Sequence, residues 1–99
     1  MYKAVILPLA KEDILEAALW YNTKQKNLGK RFTKQLRVKI LLIQQHPQLA
    51  PIRYDNVRTA VLNVFPYMVH YTVDDKKKEI LIAAVFHTSL NPERWKKRS

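Results

Sequence analysis

The chain has 99 residues and a net charge of +10, with 18 Lys and Arg against 8 Asp and Glu, a single glycine and no cysteine. That length allows one domain built as two layers around one core. The missing cysteines exclude disulfides, thiol catalysis and thiolate zinc sites, and one glycine, Gly29, is too few for a phosphate-cradling loop.

In chain order, residues 2–7 are short, branched and followed by Pro8, which predicts a first strand. Over about 10–26, Ile14, Ala17, Ala18 and Tyr21 recur at helical spacing. Glu12 and Asp13 are expected in the first turn of that helix and Lys24 and Lys26 near its end, as the helix dipole prefers. Asn27-Leu28-Gly29 breaks it. A second helix is predicted over about 30–45, with Phe32, Leu36, Ile40 and Ile43 on one face and Lys30, Lys34 and Arg37 on another, ending at His46-Pro47. So short a connection makes the two helices an antiparallel hairpin. Residues 48–57 read as a loop, 58–64 and 67–73 as a strand pair turning near Pro66, and 79–87 as a last strand. The near-continuous apolar run of the last strand places it in the sheet centre. The expected fold is α+β: one domain over 1–99, ordered β-α-α-β-β-β, with the helix hairpin on a curved antiparallel sheet of about four strands. The first strand is expected at an edge beside the second, and 92–99 as a basic tail. Ile14, Phe32, Leu36, Ile40, Ile82 and Ala84 are the expected core.

A charge of +10 points to a polyanionic partner: a phosphate backbone, an anionic membrane or an acidic protein. The longest central apolar run, Ile40 to Ile43, is far short of a membrane span. No membrane association, no signal segment and a cytoplasmic location are expected. The three histidines are too far apart to suggest a metal site, and no cofactor is expected.

Several residues fall where one family places them. Asp13-Ile14 open the first helix, Trp20-Tyr21 lie near its end, and Leu28-Gly29 with Phe32 open the second. Pro47, Pro51 and Arg58 lead into the next strand. Phe65-Pro66-Tyr67, Tyr71, Ala84-Val85, His87, Pro92 and Trp95 follow. In this order the chain resembles the RelE/ParE superfamily of type II toxin–antitoxin toxins over nearly its whole length. The resemblance implies a growth inhibitor neutralised by a cognate antitoxin, often acidic. It also implies one of two targets: ribosome-bound mRNA, which RelE-like toxins cut, or DNA gyrase, which ParE-like toxins poison. A small nucleic-acid-binding module is the reading outside the family.

Cleavage through the ribose 2′-OH needs a base, a cation at the phosphorane and an acid. Arg58 matches the family's basic residue near the second strand, and His87, ending the last strand, is able to titrate near neutrality. These two are the candidate catalytic residues if the chain is a ribonuclease. Their purely structural roles would be a strand-end charge and a strand-end hydrogen-bonding group. Two departures favour the gyrase branch. Tyr67 or Met68 stands where cleaving relatives carry an Arg, and Thr88-Ser89-Leu90-Asn91 follows His87 where many carry an Arg pair. Asp55 is the one carboxylate near the loop after the second helix. Lys30, Lys34, Arg37, Arg53, Arg94 and Trp95 are candidate contacts to antitoxin or nucleic acid. Trp95 is expected to pack the tail onto the body unless it stacks on a base. Arg94, Lys96, Lys97 and Arg98 form a candidate phosphate patch. Tyr71 is expected to point inward, with Tyr67 more exposed and His70 on the opposite face.

Overall fold

A computed structural model describes residues 1–96; the tail cations Lys97 and Arg98 lie outside the described residues. Strand β1 (Lys3–Ile6) runs into helix α1 (Pro8–Lys24), helix α2 (Leu28–Gln45) and strands β2 (Ile52–Tyr54), β3 (Val57–Val61), β4 (Tyr67–Asp74) and β5 (Glu79–His87). A 3₁₀ turn at Pro92–Arg94 closes the described chain.

Helix α1 starts two residues earlier than its apolar spacing predicts. Pro8 takes the first helical position, where a missing N–H costs nothing. Glu12 and Asp13 therefore lie beyond the first turn, which holds no acid. The helix stops at Gln25, and Asn27 makes the turn in the left-handed region at φ 66°. Asparagine tolerates that region better than most residues. Helix α2 then folds back on α1 through Gly29, whose amide donates to Asn22 Oδ1 at 2.8 Å. At this crossing the helices nearly touch: a Cβ on Gly29 would lie 2.2 Å from the Ala18 carbonyl oxygen.

The five strands form one sheet in the order β1-β5-β4-β3-β2. The fifth strand is β2, inside the segment read as loop from sequence. A second difference concerns β1, which pairs in parallel with β5 over Lys3–Ile6 and Glu79–Ile82, not beside the next strand in sequence. The reason is burial. The Ile80–Ile82 run needs a neighbour on each side, and the helix hairpin returns the chain so that β1 supplies one. The remaining ladders are antiparallel, and β4–β5 shifts register between His70 and Tyr71. β5 is thus flanked on both sides only in its first half.

The helix pair covers one sheet face. The core there includes Phe32, Leu36, Ile40, Ile43, Val69, Tyr71, Ile80 and Ile82, with Ile14 half-buried at its margin. Tyr21, Phe32, Phe65 and Tyr67 pack together at the hairpin end with centroids 5.0–6.0 Å apart, edge to face except for the tilted Tyr21–Phe32 pair. The other face has a smaller cluster: Met68, Ala84, Phe86 and Trp95. Ala84 is thus buried, but on the face away from the helices.

Candidate functional site

Arg58 and His87 both project toward the helix side of the sheet but stand at opposite ends. Arg58 pairs with Tyr71 across β3–β4, whereas His87 pairs with Tyr67 across β4–β5. Four residues of β4 separate the two positions, roughly 13 Å along the strand and about 10 Å across it. Arg58 Nη1 donates to the Ala50 carbonyl at 2.7 Å, directing the guanidinium at the chain between α2 and β2. The Tyr71 hydroxyl donates to the Pro47 carbonyl at 2.9 Å and accepts from the Ala50 amide at 3.4 Å. The two side chains clamp residues 47–50. Burial raises the Tyr71 pKa, partly opposed by the Ala50 amide and by Arg58.

His87 lies in a cleft of about 730 Å³ between α1 and the open half of β5. Asp13, Glu16 and Trp20 line it from α1, Tyr67 and Phe86 from the sheet, and Leu90 and Arg94 from the tail. The Ser89 amide donates to His87 Nδ1 at 3.0 Å, with Ser89 Oγ at 2.7 Å. An Nδ1 that accepts an amide proton carries none itself, so the neutral ring holds its proton on Nε2. Asp13 Oδ2 accepts the Val85 amide at 3.0 Å, satisfying a strand edge that β1 no longer reaches. Tyr67 has its pKa raised, first by burial and then by the facing Glu16 carboxylate. The cleft thus sets two carboxylates and one guanidinium around an imidazole. A phosphate placed there would meet Asp13 and Glu16 as well as Arg94. Sequence spacing gave no sign of this grouping, because it depends on how α1 crosses the end of β5.

The tail cluster fills the other face. Trp95 is 6% exposed and packs edge-on against His70 at 4.8 Å, with Tyr54 at 5.6 Å. Arg53 lies over the Trp95 ring at 5.7 Å. His70 is fully buried, with Nδ1 2.9 Å from the Tyr54 hydroxyl and Phe86 against its ring. Trp95 therefore packs the tail onto the body, and Tyr67, Tyr71 and His70 take the faces their alternation predicts. Lys30, Lys34 and Arg37 are exposed on α2, whereas Arg53 lies on β2 and Arg94 in the tail turn. The outer side of the helix pair also exposes Leu15, Leu19 and Trp20 on α1 and Val38 and Leu41 on α2. Among the described residues no group of three His, Cys, Asp or Glu is placed to hold a metal ion, and no helix is long and apolar enough to cross a membrane.

Comparison with known folds agrees with this architecture. The chain is similar to a subunit of the chromosomal ParDE toxin–antitoxin system of P. aeruginosa, at TM-score 0.78 and 18% identity over 90% of this chain and 98% of that one. It is also similar to a chain of the intact E. coli RelBE toxin–antitoxin complex, at TM-score 0.68 and 18% identity over 88% and 96%. The isolated E. coli RelE toxin aligns at TM-score 0.67 and 15% identity over 98% and 95%. At these identities the likeness is one of fold. No curated protein sequence matches significantly. The sequence itself does match a family model, described as the ParE toxin of the type II toxin–antitoxin system parDE, over residues 4–92. That match runs from β1 into the tail turn and covers the elements that build the cleft and both sheet faces, so the chain belongs to the ParE toxin family of type II toxin–antitoxin systems.

Proposed function

We propose that this toxin inhibits growth in the cytoplasm by binding a target protein, in the manner of gyrase poisoning, and does not cut mRNA. The observation that carries this reading is the separation of Arg58 from His87. In-line attack by a 2′-OH needs a cation and a proton-transfer group within a few ångströms of one phosphate. Here Arg58 is engaged with the Ala50 carbonyl, and His87 shares its cleft with Asp13 and Glu16. Losing one preorganised donor at such a site costs about 10²–10³ in rate. The cognate antitoxin is an acidic chain that lies over the outer side of the helix pair. Its apolar residues cover Leu15, Leu19, Val38 and Leu41, and its carboxylates meet Lys30, Lys34 and Arg37. What supports this is α1, which is apolar on its outer side as well as its inner one, a pattern expected of a covered helix.

Induced expression tests the reading. Primer extension on cellular mRNA is expected to show no ribosome-dependent cuts, while gyrase–DNA cleavage complexes accumulate. Efficient cleavage by the wild-type protein, lost in Arg58→Ala at unchanged melting temperature, overturns it.

A further inference from the structure

The helix pair divides the charge of the chain. Helix α2 carries Lys30, Arg31, Lys34, Arg37 and Lys39 and no acidic residue. Helix α1 carries Glu12, Asp13 and Glu16, three of the eight Asp and Glu residues in the whole sequence. An acidic partner lying across both helices is drawn to α2 and repelled by this part of α1.

The place of Glu16 makes the conflict unavoidable. Leu15 and Leu19 are the exposed apolar stripe of α1 assigned to the antitoxin. Glu16 adjoins Leu15 and lies within about one turn of Leu19 and Trp20, so a chain that covers those residues also takes Glu16 out of water. A carboxylate covered without a partner is strongly unfavourable. A cation in the covering chain removes that penalty.

The cleft is built to take one. Asp13, Glu16, Ala17 and Trp20 recur at i, i+3, i+4 and i+7 and share the flank of α1 that faces the open half of β5. Ala18 and Asn22, which meet α2 at Gly29, lie on the opposite flank, and Leu15 and Leu19 lie between the two. A chain on that stripe therefore reaches the cleft at its rim, where Trp20 is both exposed and part of the lining. The volume, about 730 Å³, falls in the roughly 300–1,000 Å³ range of binding clefts. Asp13 and Glu16 stand one turn apart, about 5–6 Å between Cβ atoms, a spacing that one cation bridges. The Val85 amide, 3.0 Å from Asp13 Oδ2, fixes the first carboxylate in place. Trp20 offers a ring of the kind that attracts cations, and Lys24, outside the cleft, already lies over it at 5.0 Å. Arg94 at the tail wall offsets only one of the two carboxylates, so with a neutral His87 ring the lining is net negative.

We propose that this cleft takes one Lys or Arg side chain of the antitoxin, held between Asp13 and Glu16 against the Trp20 ring, and that this cation marks the antitoxin as cognate. The proposal rests on the reading that the antitoxin lies over the outer helix face. The antitoxin remains acidic overall: its carboxylates meet the α2 cations, and its cation lies at the α1 end, beyond the apolar contacts. A chain with Gln or Glu at that position covers Glu16 without pairing it and is rejected, although its other contacts are unchanged.

Two measurements on the full chain test this. In the first, the tripeptide acetyl-Leu-Arg-Leu-amide is titrated into the toxin and the Trp20 indole N–H signal is followed by NMR. The Arg peptide is expected to bind about tenfold more tightly than its Gln version, the factor of one charge-assisted hydrogen bond. Glu16→Gln is expected to abolish that difference, whereas Asp55→Asn, an equal loss of charge in the β2–β3 turn, preserves it. In the second, toxin and antitoxin are co-expressed. Glu16→Lys is expected to stay toxic and to escape neutralisation, and replacing the antitoxin's basic residues by Glu one at a time is expected to restore it at one position. The cleft proposal is overturned if the Arg and Gln peptides shift the signal alike or not at all, or if Asp55→Asn acts as Glu16→Gln does. It is equally overturned if Glu16→Lys is neutralised as fully as wild type. Loss of toxicity in Glu16→Lys at unchanged melting temperature also overturns it and assigns the cleft to the target protein. The helix-face reading fails by a different variant: full neutralisation of Leu15→Ser with Leu19→Ser overturns that reading and with it the antitoxin as occupant, while the peptide titration reports on the cleft alone.

Discussion

Replacing Gly29 with Ala sets two effects of opposite sign against each other. Helix propensity alone favours Ala over Gly by about 0.8–1.0 kcal/mol in a helix interior, and less near an end. Against this, the new methyl would lie 2.2 Å from the Ala18 carbonyl oxygen and 2.8 Å from Asn22 Oδ1. The first neighbour is backbone and cannot rotate away, so the helices must separate. Such overpacking costs about 1–3 kcal/mol. The shift also weakens the bond from the Gly29 amide to Asn22, a further loss of about 0.5–1.5 kcal/mol. The net expectation is a destabilisation of roughly 1–3 kcal/mol. For a domain of this size that lowers the melting temperature by about 4–8 °C per kcal/mol. Urea titration should show a lower midpoint at unchanged slope. A variant as stable as wild type, or more so, would show that the crossing has slack and refute the close-approach account. The result bears on function because this crossing sets the spacing of the outer helix faces assigned to the antitoxin.

Trp95→Ala is expected to cost about 3 kcal/mol or somewhat less, since the lost side chain is buried but its segment is terminal. A solvent-quenched, red-shifted Trp95 emission in the Trp20→Phe variant would contradict its burial. Tyr21, Tyr67 and Tyr71 all have pKa values raised above 10.0, each chiefly by burial. The unfolded chain therefore releases these protons first, and stability is expected to be full below pH 10 and to fall as pH rises through the folded values. Absorbance titration at 295 nm checks this, because tyrosine ionisation in the folded protein should then be delayed relative to the urea-unfolded chain.

Apolar periodicity located both helices, β4 and β5 closely, because each element buries a continuous face. What it missed depends on tertiary pairing. β2 is three residues long, too short for alternation to register, and is held by pairing with β3. The parallel partnership of β1 with β5 spans the whole helix hairpin and leaves no local mark. Arg58 and His87 both looked eligible in the sequence, since nothing in a linear pattern states that four strand positions separate them. Trp20 was visible only as a family landmark and Asp13 as that and a first-turn acid, and their place in the cleft follows from the α1 crossing. Val64 was unreadable, because its left-handed φ of 73° belongs to the turn that the Phe65 amide closes around it onto the Asn63 carbonyl, and valine is not a residue that signals such a turn.

The sheet face away from the helices shows how one surface of this version of the fold is filled. Folds of this kind host different activities, and the side chains at the site decide between them. A surface that cuts RNA has to present cations and a proton-transfer group to an incoming phosphate. This face presents Met68, Ala84 and Phe86, closed over by Trp95. Its imidazole, His70, is fully buried and hydrogen-bonded to Tyr54, out of reach of any substrate while Trp95 is seated. Charged and apolar groups compete for such a surface. A cluster of Arg and Lys requires water or phosphate around it, whereas an apolar cluster with a tryptophan lid stabilises the tail and excludes both. This chain has taken the second arrangement. Its 18 basic residues are not scarce; five of them are gathered on α2, away from either sheet face. Part of the positive charge is thus set along an exposed ridge of α2, while the sheet face away from the helices is closed by apolar side chains.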